Sequence, residues 1–221
     1  MKAKIARRDR SSFGLGMGRL IAGFAFVAMA GTASAQSLAS LPGPNGRDAI
    51  ATTGGARPVA AWTQFCSRNP AECEIDLGEA ATIALTSRVW KTINTVNRQV
   101  NSDIKPKTDM EHWGVVDRWD LPTDGYGDCE DYQLLKRKIL SEKHGLPKRA
   151  MRMTVVIDEQ GEGHAVLMIR TDQGDIVLDN KRSGVMAWHE TGYVFVKREG
   201  QDSRDWVSLG DRTSPVTTAN R

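Results

Sequence analysis

Apolar residues recur at helical spacing in the first half of the chain and in strand-length runs after residue 150. Between residues 79 and 100, Ile83, Leu85, Val89, Ile93, Val96 and Val100 follow mostly three- and four-residue steps, which predicts one long amphipathic helix with Trp90 packed in the core. A second helix is predicted from Asp128 or Cys129 to about His144. Leu134, Leu135, Ile139 and Leu140 form its apolar side, His144 complements the dipole in the last turn, and Gly145 and Pro147 stop it. Residues 101–126 between the two carry Pro106, Gly114, Pro122 and Gly125, so an irregular connection is expected. Loops of that length are uncommon without a role. This one is expected either to wall a cleft, with the indole of Trp113 or Trp119 facing a reacting oxygen, or simply to be anchored by both tryptophans.

Runs at 151–157, 165–170, 176–178, 193–197 and 206–209 are β-branched or apolar, with glycine-containing turns between several of them. The predicted fold class is therefore α+β, with N-terminal helices followed by an antiparallel sheet.

The N-terminus reads differently. Lys2, Lys4, Arg7, Arg8 and Arg10 precede an apolar stretch around residues 20–30, and Ala33-Ser34-Ala35 offers a cleavage site before Gln36. Residues 1–35 are expected to be a cleaved secretory signal and the mature protein to be periplasmic. Residues 36–57, rich in Gly, Ser, Ala, Pro and Thr, are expected to be a flexible lead-in, residues 58–212 the folded domain and residues 213–221 a disordered tail. Residues 1–35 hold six Lys/Arg and one acidic residue, so their removal takes the formal charge from +3 to −2. No basic stripe with interleaved aromatics remains, and nucleic acid is excluded as a partner.

Three cysteines in an exported chain leave one over. Cys66 and Cys73, with six residues between them, are the expected disulfide; the alternative is two buried thiols. A zinc site is disfavoured, since no Cys or His partner stands at ligand spacing. Cys129 is then the free thiol. At a helix start, unpaired amides and the dipole favour thiolate. His164, with Asp179 at the end of the next strand, offers an imidazole oriented by a carboxylate.

The segments G-D-C-E-D-Y (127–132), L-L-K-R (134–137), G-E-G-H-A-V-L (161–167), G-D-I-V-L-D-N (174–180) and T-G-Y (191–193) together resemble the bacterial transglutaminase-like cysteine proteinases over about residues 60–210. The resemblance implies a papain-like/transglutaminase-like fold, the nucleophile helix packed on the antiparallel sheet, and a triad of Cys129, His164 and Asp179. It also implies a periplasmic, calcium-dependent protease of a large surface adhesin, held in check by an inner-membrane cyclic-di-GMP receptor. Transferred residue by residue, the calcium-binding positions on either side of the cysteine are Asp128 and Glu130.

The flanking acids cut two ways. Asp128, Glu130 and Asp131 should raise the thiol pKa unless a cation offsets them. The same three residues, as N-cap and first turn, would also suit a capped helix without metal. No EF-hand loop is present, so ligands would be dispersed. The strand pairing is ambiguous as well. A turn at Thr171-Asp172 sets His164 opposite Asp179, whereas a turn at Gln173-Gly174 sets it opposite Ser183; both keep His164 and Asp179 on one face. Other readings are an acyl transferase or amidase using the same triad, a protein-binding module with inert Cys129, and a calcium-responsive regulator with a contact surface around Trp188 and Tyr193.

Overall fold

In the computed structural model, which describes residues 49–210, the helical pattern of residues 79–100 splits in two. Ile83 N–H donates to Arg170 O and Ile83 O accepts from Asp172 N–H, both at 3.0 Å, so Ile83 and Leu85 bury from an extended segment. Helix begins only at Ser87, where Thr86 Oγ1 accepts from Val89 N–H at 3.3 Å. The expected start at Glu79 is corrected: Ile83 and Leu85 match a helical spacing, but tertiary partners already hold their amides. Trp90 is half-buried and packs against the core rather than within it.

The elements run β1 (Gly54–Ala56), α1 (Ala60–Arg68), α2 (Pro70–Cys73), α3 (Ser87–Asp103), β2 (Lys105–Pro106), α4 (Asp109–Trp113), β3 (Tyr126–Gly127), α5 (Cys129–Glu142), β4 (Met151–Ile157), β5 (Gly163–Thr171), β6 (Gly174–Leu178), β7 (Met186–Ala187), β8 (Val194–Glu199) and β9 (Trp206–Ser208). An antiparallel sheet of seven strands has the order β1-β9-β8-β4-β5-β6-β7, and β2 pairs β3 in parallel. Helices cover one face, with Phe65, Ile93, Leu134 and Leu140 packed on Met153, Val155, Leu167, Ile169 and Leu178. Val156, Val166, Val177 and Phe195 make a smaller cluster with Ile50 and Leu209. Burial on both sides explains why β4 and β5 read as near-continuous apolar runs. Among the described residues, no helix is long and apolar enough to cross a membrane.

Residues 1–35, expected to be a secretory signal, residues 36–48 of the expected lead-in and the expected tail lie outside the described residues. Residues 49–57 belong to the fold, which corrects the domain start placed at Pro58. The Ile50 side chain is buried, its N–H donates to Asp175 Oδ2 at 3.0 Å, and β1 forms the sheet edge against β9. Small, glycine-rich residues hid a strand whose partners are about 150 residues away.

Both expected turns between β5 and β6 are also corrected. Thr171 pairs Gly174, so Asp172 and Gln173 form the turn, midway between the alternatives. Leu167 faces Leu178; continuing that register puts Asp179 opposite Val166, two positions from His164 on the same face. The turn is held by Thr171 Oγ1, which donates to Gly174 O at 2.6 Å, and by Asp172 Oδ1, which accepts Leu85 N–H at 2.9 Å.

Residues 101–126 are less irregular than expected. Thr108 Oγ1 accepts from Glu111 N–H and Glu111 Oε2 accepts from Thr108 N–H, a capping box that opens the short α4. Gly114, at φ 69°, ends it. Trp119 is fully buried and meets Trp206 edge-on, so it anchors the segment. Trp113 is 42% exposed, stacked on His112 and under the Arg118 guanidinium. Cys66 and Cys73 form the expected disulfide, tying α1 to α2.

Candidate active site

Gly127 and Asp128 lead the chain from β3 into α5, whose first residue is Cys129. The sulfur is fully buried, and its contacts include a backbone amide and a carboxylate. Ala165 N–H donates to Sγ at 3.3 Å, and the thiol donates to Glu130 Oε2 at 3.1 Å. Burial, then the charges of Glu130 and Asp128, push the Cys129 thiol well above its usual value. The expectation that the helix start favours thiolate is therefore corrected for the protein without a bound cation. Desolvation and like charge outweigh a dipole effect of about 0.3–1 kcal/mol.

Next to Ala165, His164 is fully buried and its Nε2 lies 2.9 Å from Asp179 Oδ1. Nε2 donates in this pairing, which leaves Nδ1 as the basic atom. Nδ1 is buried without a hydrogen-bond partner, on the strand residue that adjoins the one touching the sulfur. Asp179 also accepts from Tyr193 Oη at 2.6 Å and from Lys181 N–H at 3.0 Å. Burial alone would raise the Asp179 carboxyl; hydrogen bonds from His164, Tyr193 and Lys181 hold it at about 2 instead. Tyr193 packs edge-on to His164 at 5.7 Å and is buried, so it supports the site rather than forming the exposed contact surface considered with Trp188. Trp188 packs on Phe195 at 5.5 Å.

The backbone after Asp179 is pinned by α3. Asn101 Nδ2 donates to Asp179 O at 2.8 Å, and Asn97 Nδ2 donates to Arg182 O at 3.1 Å. These two asparagines stand one turn apart on the helix face that meets the corner. The polar residues interrupting an apolar stripe were the available signal for them.

A second cluster surrounds the helix start. Asp128 occupies the N-cap position but makes no side-chain cap; its Oδ2 accepts from Asp109 N–H at 3.1 Å. Asp131 Oδ1 accepts from Asp120 N–H at 2.8 Å, and Asp109 Oδ2 accepts from Arg118 N–H. Capping therefore does not account for Asp128. Carboxylate oxygens of Asp109, Asp117 and Glu130 lie within 4.8 Å of one another, as do those of Asp109, Asp128 and Asp131. Asp128 and Glu130, the expected metal positions, fall in these groups beside Asp109 and Asp117, which come from a segment with no metal motif. Burial, then Asp109, pushes Asp128 up to about 7; burial and neighbouring acids raise Glu130 and Asp131 well above the carboxylate range. Asp128 Oδ1 and Glu130 Oε1 are buried without hydrogen-bond partners. Oxygens this close fit a hard cation such as calcium, which binds oxygen at about 2.3–2.6 Å, and the two unpartnered atoms are the kind such an ion satisfies.

A cleft of about 790 Å³ opens beside the helix start, lined among others by Pro106, Met110, Asp128, Tyr132, Asn180 and Lys181. Neither Trp113 nor Trp119 lines it. His112 is engaged by Asp124 at 2.8 Å, and His189 sits exposed beside Trp188.

The family model described as bacterial transglutaminase-like cysteine proteinase BTLCP matches residues 52–214. Among solved structures, Legionella pneumophila LapG is 26% identical with a TM-score of 0.47, over 56% of this chain and 71% of that one. An EGTA-treated LapG is 25% identical with a TM-score of 0.46, over 54% and 67%. A calcium-bound LapG is 20% identical with a TM-score of 0.44, over 59% and 80%. No curated protein sequence matches the chain.

Proposed function

Because the chain belongs to the bacterial transglutaminase-like cysteine proteinase family, and is thus a cysteine peptidase, we propose that Cys129, His164 and Asp179 cut a protein substrate in the periplasm. The observation that carries this reading is the His164 Nε2 to Asp179 Oδ1 contact of 2.9 Å beside the single free thiol.

In this reading His164 Nδ1 takes the Cys129 proton, and the sulfur forms a bond to the substrate carbonyl carbon. The oxyanion meets the Cys129 backbone N–H at the start of the helix. The imidazolium gives its proton to the departing amine as the peptide bond breaks. Water, deprotonated by the same nitrogen, then releases the carboxylic acid and restores the thiol. Asp179, held ionised at about 2, stabilises the imidazolium throughout.

Asp109, Asp117, Asp128, Glu130 and Asp131 would hold calcium. When bound, the ion supplies positive charge that offsets the carboxylates beside the thiol. The two unpartnered buried oxygens are what supports this part of the reading. The basic and apolar N-terminal segment supports export. By analogy with adhesin-cleaving members of the family, we assign a large surface adhesin as the substrate and an inner-membrane cyclic-di-GMP receptor as the regulatory partner.

The test is the rate of iodoacetamide labelling at Cys129, read by intact mass across pH, in calcium and in EGTA. Labelling that is fast below pH 7, and slows both in EGTA and in His164→Ala, is expected. An ordinary thiol profile indifferent to both would overturn the reading.

A further inference from the structure

Gln133 and Lys136 lie on α5 one and two turns beyond Cys129, and both are fully buried. Their polar ends form a chain to the corner that follows Asp179. Lys136 Nζ donates to Gln133 Oε1 at 3.1 Å, and Gln133 Nε2 donates to Asn180 Oδ1 at 3.4 Å. A lysine ammonium has donors and no acceptor, so Gln133 must turn its carbonyl to Lys136 and its amide to Asn180. While Lys136 is protonated, the assignment of oxygen and nitrogen in both amides is thus fixed by chemistry. Asn180 must accept with Oδ1, and its Nδ2 donors point the other way.

Asn180 is only half-buried and lines the 790 Å³ cleft together with Asp128 and Tyr132, which flank the first turn of the nucleophile helix. Its backbone is anchored on both sides, by Asn101 on Asp179 O and by Lys181 N–H on Asp179 Oδ1. Building on the protease reading above, we infer that Asn180 is a substrate-binding residue whose side-chain amide donates to a main-chain carbonyl of the peptide in the cleft. Lys136 and Gln133 are positioning residues that keep that donor, rather than the acceptor, facing the peptide.

The chemistry of the cleft favours a carbonyl as the partner. Its walls mix Lys107 and Lys181 with Glu111 and Asp128, so neither charge sign dominates, and a neutral donor suits the neutral carbonyls that every extended peptide presents. The cost of the relay points the same way. Burying a lysine with one hydrogen-bond partner is unfavourable; burial lowers Lys136 to about 7, while Asp179 pulls in the opposite direction. An apolar residue of similar volume would fill the space at less cost, but it would leave the Gln133 amide free to flip.

The test compares two reagents on the purified protein. Iodoacetamide alkylates Cys129 without occupying the peptide cleft, whereas a panel of dipeptidyl chloromethyl ketones must seat main-chain carbonyls before alkylating the same sulfur. Asn180→Ala should slow inactivation by the ketones about tenfold while iodoacetamide labelling stays within about twofold. Asn180→Asp, which replaces the donor by an acceptor of the same shape, should slow the ketones at least as much. Gln133→Met and Lys136→Met should produce a smaller loss of the same selective kind. An unchanged ratio of the two rates in Asn180→Ala, or a parallel fall in both, would overturn the assignment, because either places Asn180 outside peptide binding. An unchanged ratio in both α5 variants would overturn the relay. Wild-type protein that labels with iodoacetamide in a His164-dependent way but ignores every ketone would instead overturn the peptide cleft, and with it this inference. Loss of the His164 dependence is the separate failure of the protease reading.

Discussion

Asp128 stands at the N-cap of the helix that Cys129 opens, yet its side chain accepts a hydrogen bond from the backbone of Asp109, nineteen residues upstream, at 3.1 Å. A helix-capping aspartate would satisfy an amide of its own first turn. Here the carboxylate is spent on joining two segments that each carry further carboxylates. Without a cation, that junction concentrates like charge in a buried place.

Calcium should therefore stabilise the protein, and Asp109→Asn should change sign with conditions. At a hundredfold excess over Kd the gain is about 2.7 kcal/mol, or roughly 5–10 °C in Tm for a domain of this size. Thermal melts of Asp109→Asn should lie above wild type in EGTA, because a repelling charge is gone, and below it in calcium, because a ligand is gone. The same direction in both conditions would count against a shared metal site.

The cation-free protein should lose stability as pH rises from about 4 to about 7. Asp128 is raised from 3.8 to about 7, and Glu130 and Asp131 are also raised well above the carboxylate range. Groups raised in the folded state favour folding below their unfolded values, and that contribution disappears as pH passes the folded value. At about 1.4 kcal/mol per unit, Asp128 alone bears on the order of a few kcal/mol. Urea unfolding in EGTA at pH 5 and pH 7.5 measures this. Greater stability at pH 7.5 would contradict it, and added calcium should flatten the slope.

The parts of the fold read well from sequence are those where local pattern and tertiary context agree. β4 occupies the expected residues 151–157 because a run of β-branched and apolar residues buried on both faces has one period whichever way it is packed. α5 begins where G-D-C predicted and ends near its stop signals. Misreadings arose where distant partners decide. Ile83 and Leu85 look helical until Arg170 and Asp172 claim their backbone, and the Asp172-Gln173 turn is chosen by those same contacts. Thr108-Asp109-Met110-Glu111 was a legible capping box that went unread inside a segment taken as irregular. Cys129, His164 and Asp179 were visible as motifs, and Tyr193 stood in T-G-Y without its bond to Asp179 being legible. Asp109 and Asp117 were not, since they meet the acidic cluster through space with no local pattern to mark them.

Tyr193→Phe isolates one hydrogen bond. The ring packing on His164 is kept, while Asp179 loses the phenol that donates to Oδ2 at 2.6 Å. Loss of a bond to a charged acceptor costs about 1.5–3 kcal/mol. Asp179 sits at about 2, so its contribution is present above the unfolded value near 3.8 and is lost as pH falls through about 2. Removing a donor should move that acid limb upward. The pH profile of Cys129 alkylation and acid unfolding should both shift to higher pH; an unmoved profile would assign Tyr193 to packing alone.

Gly127 supplies the last test, because its role is space rather than chemistry. A Cβ added there would stand 2.7 Å from Asp131 Oδ2 and 2.8 Å from Asp131 Cβ, closer than such atoms approach. The neighbour that must give way is a buried carboxylate tied to Asp120 N–H, so the strain falls on the acidic cluster and not on solvent-facing atoms. Gly127→Ala should cost about 1–3 kcal/mol through overpacking and weaken calcium binding roughly tenfold or more. Calorimetric titration of calcium into the variant, with circular dichroism to confirm folding, separates the two effects. A variant that is destabilised but binds calcium as tightly as wild type would remove Asp131 from the metal site and leave Asp109, Asp117, Asp128 and Glu130 to hold the ion.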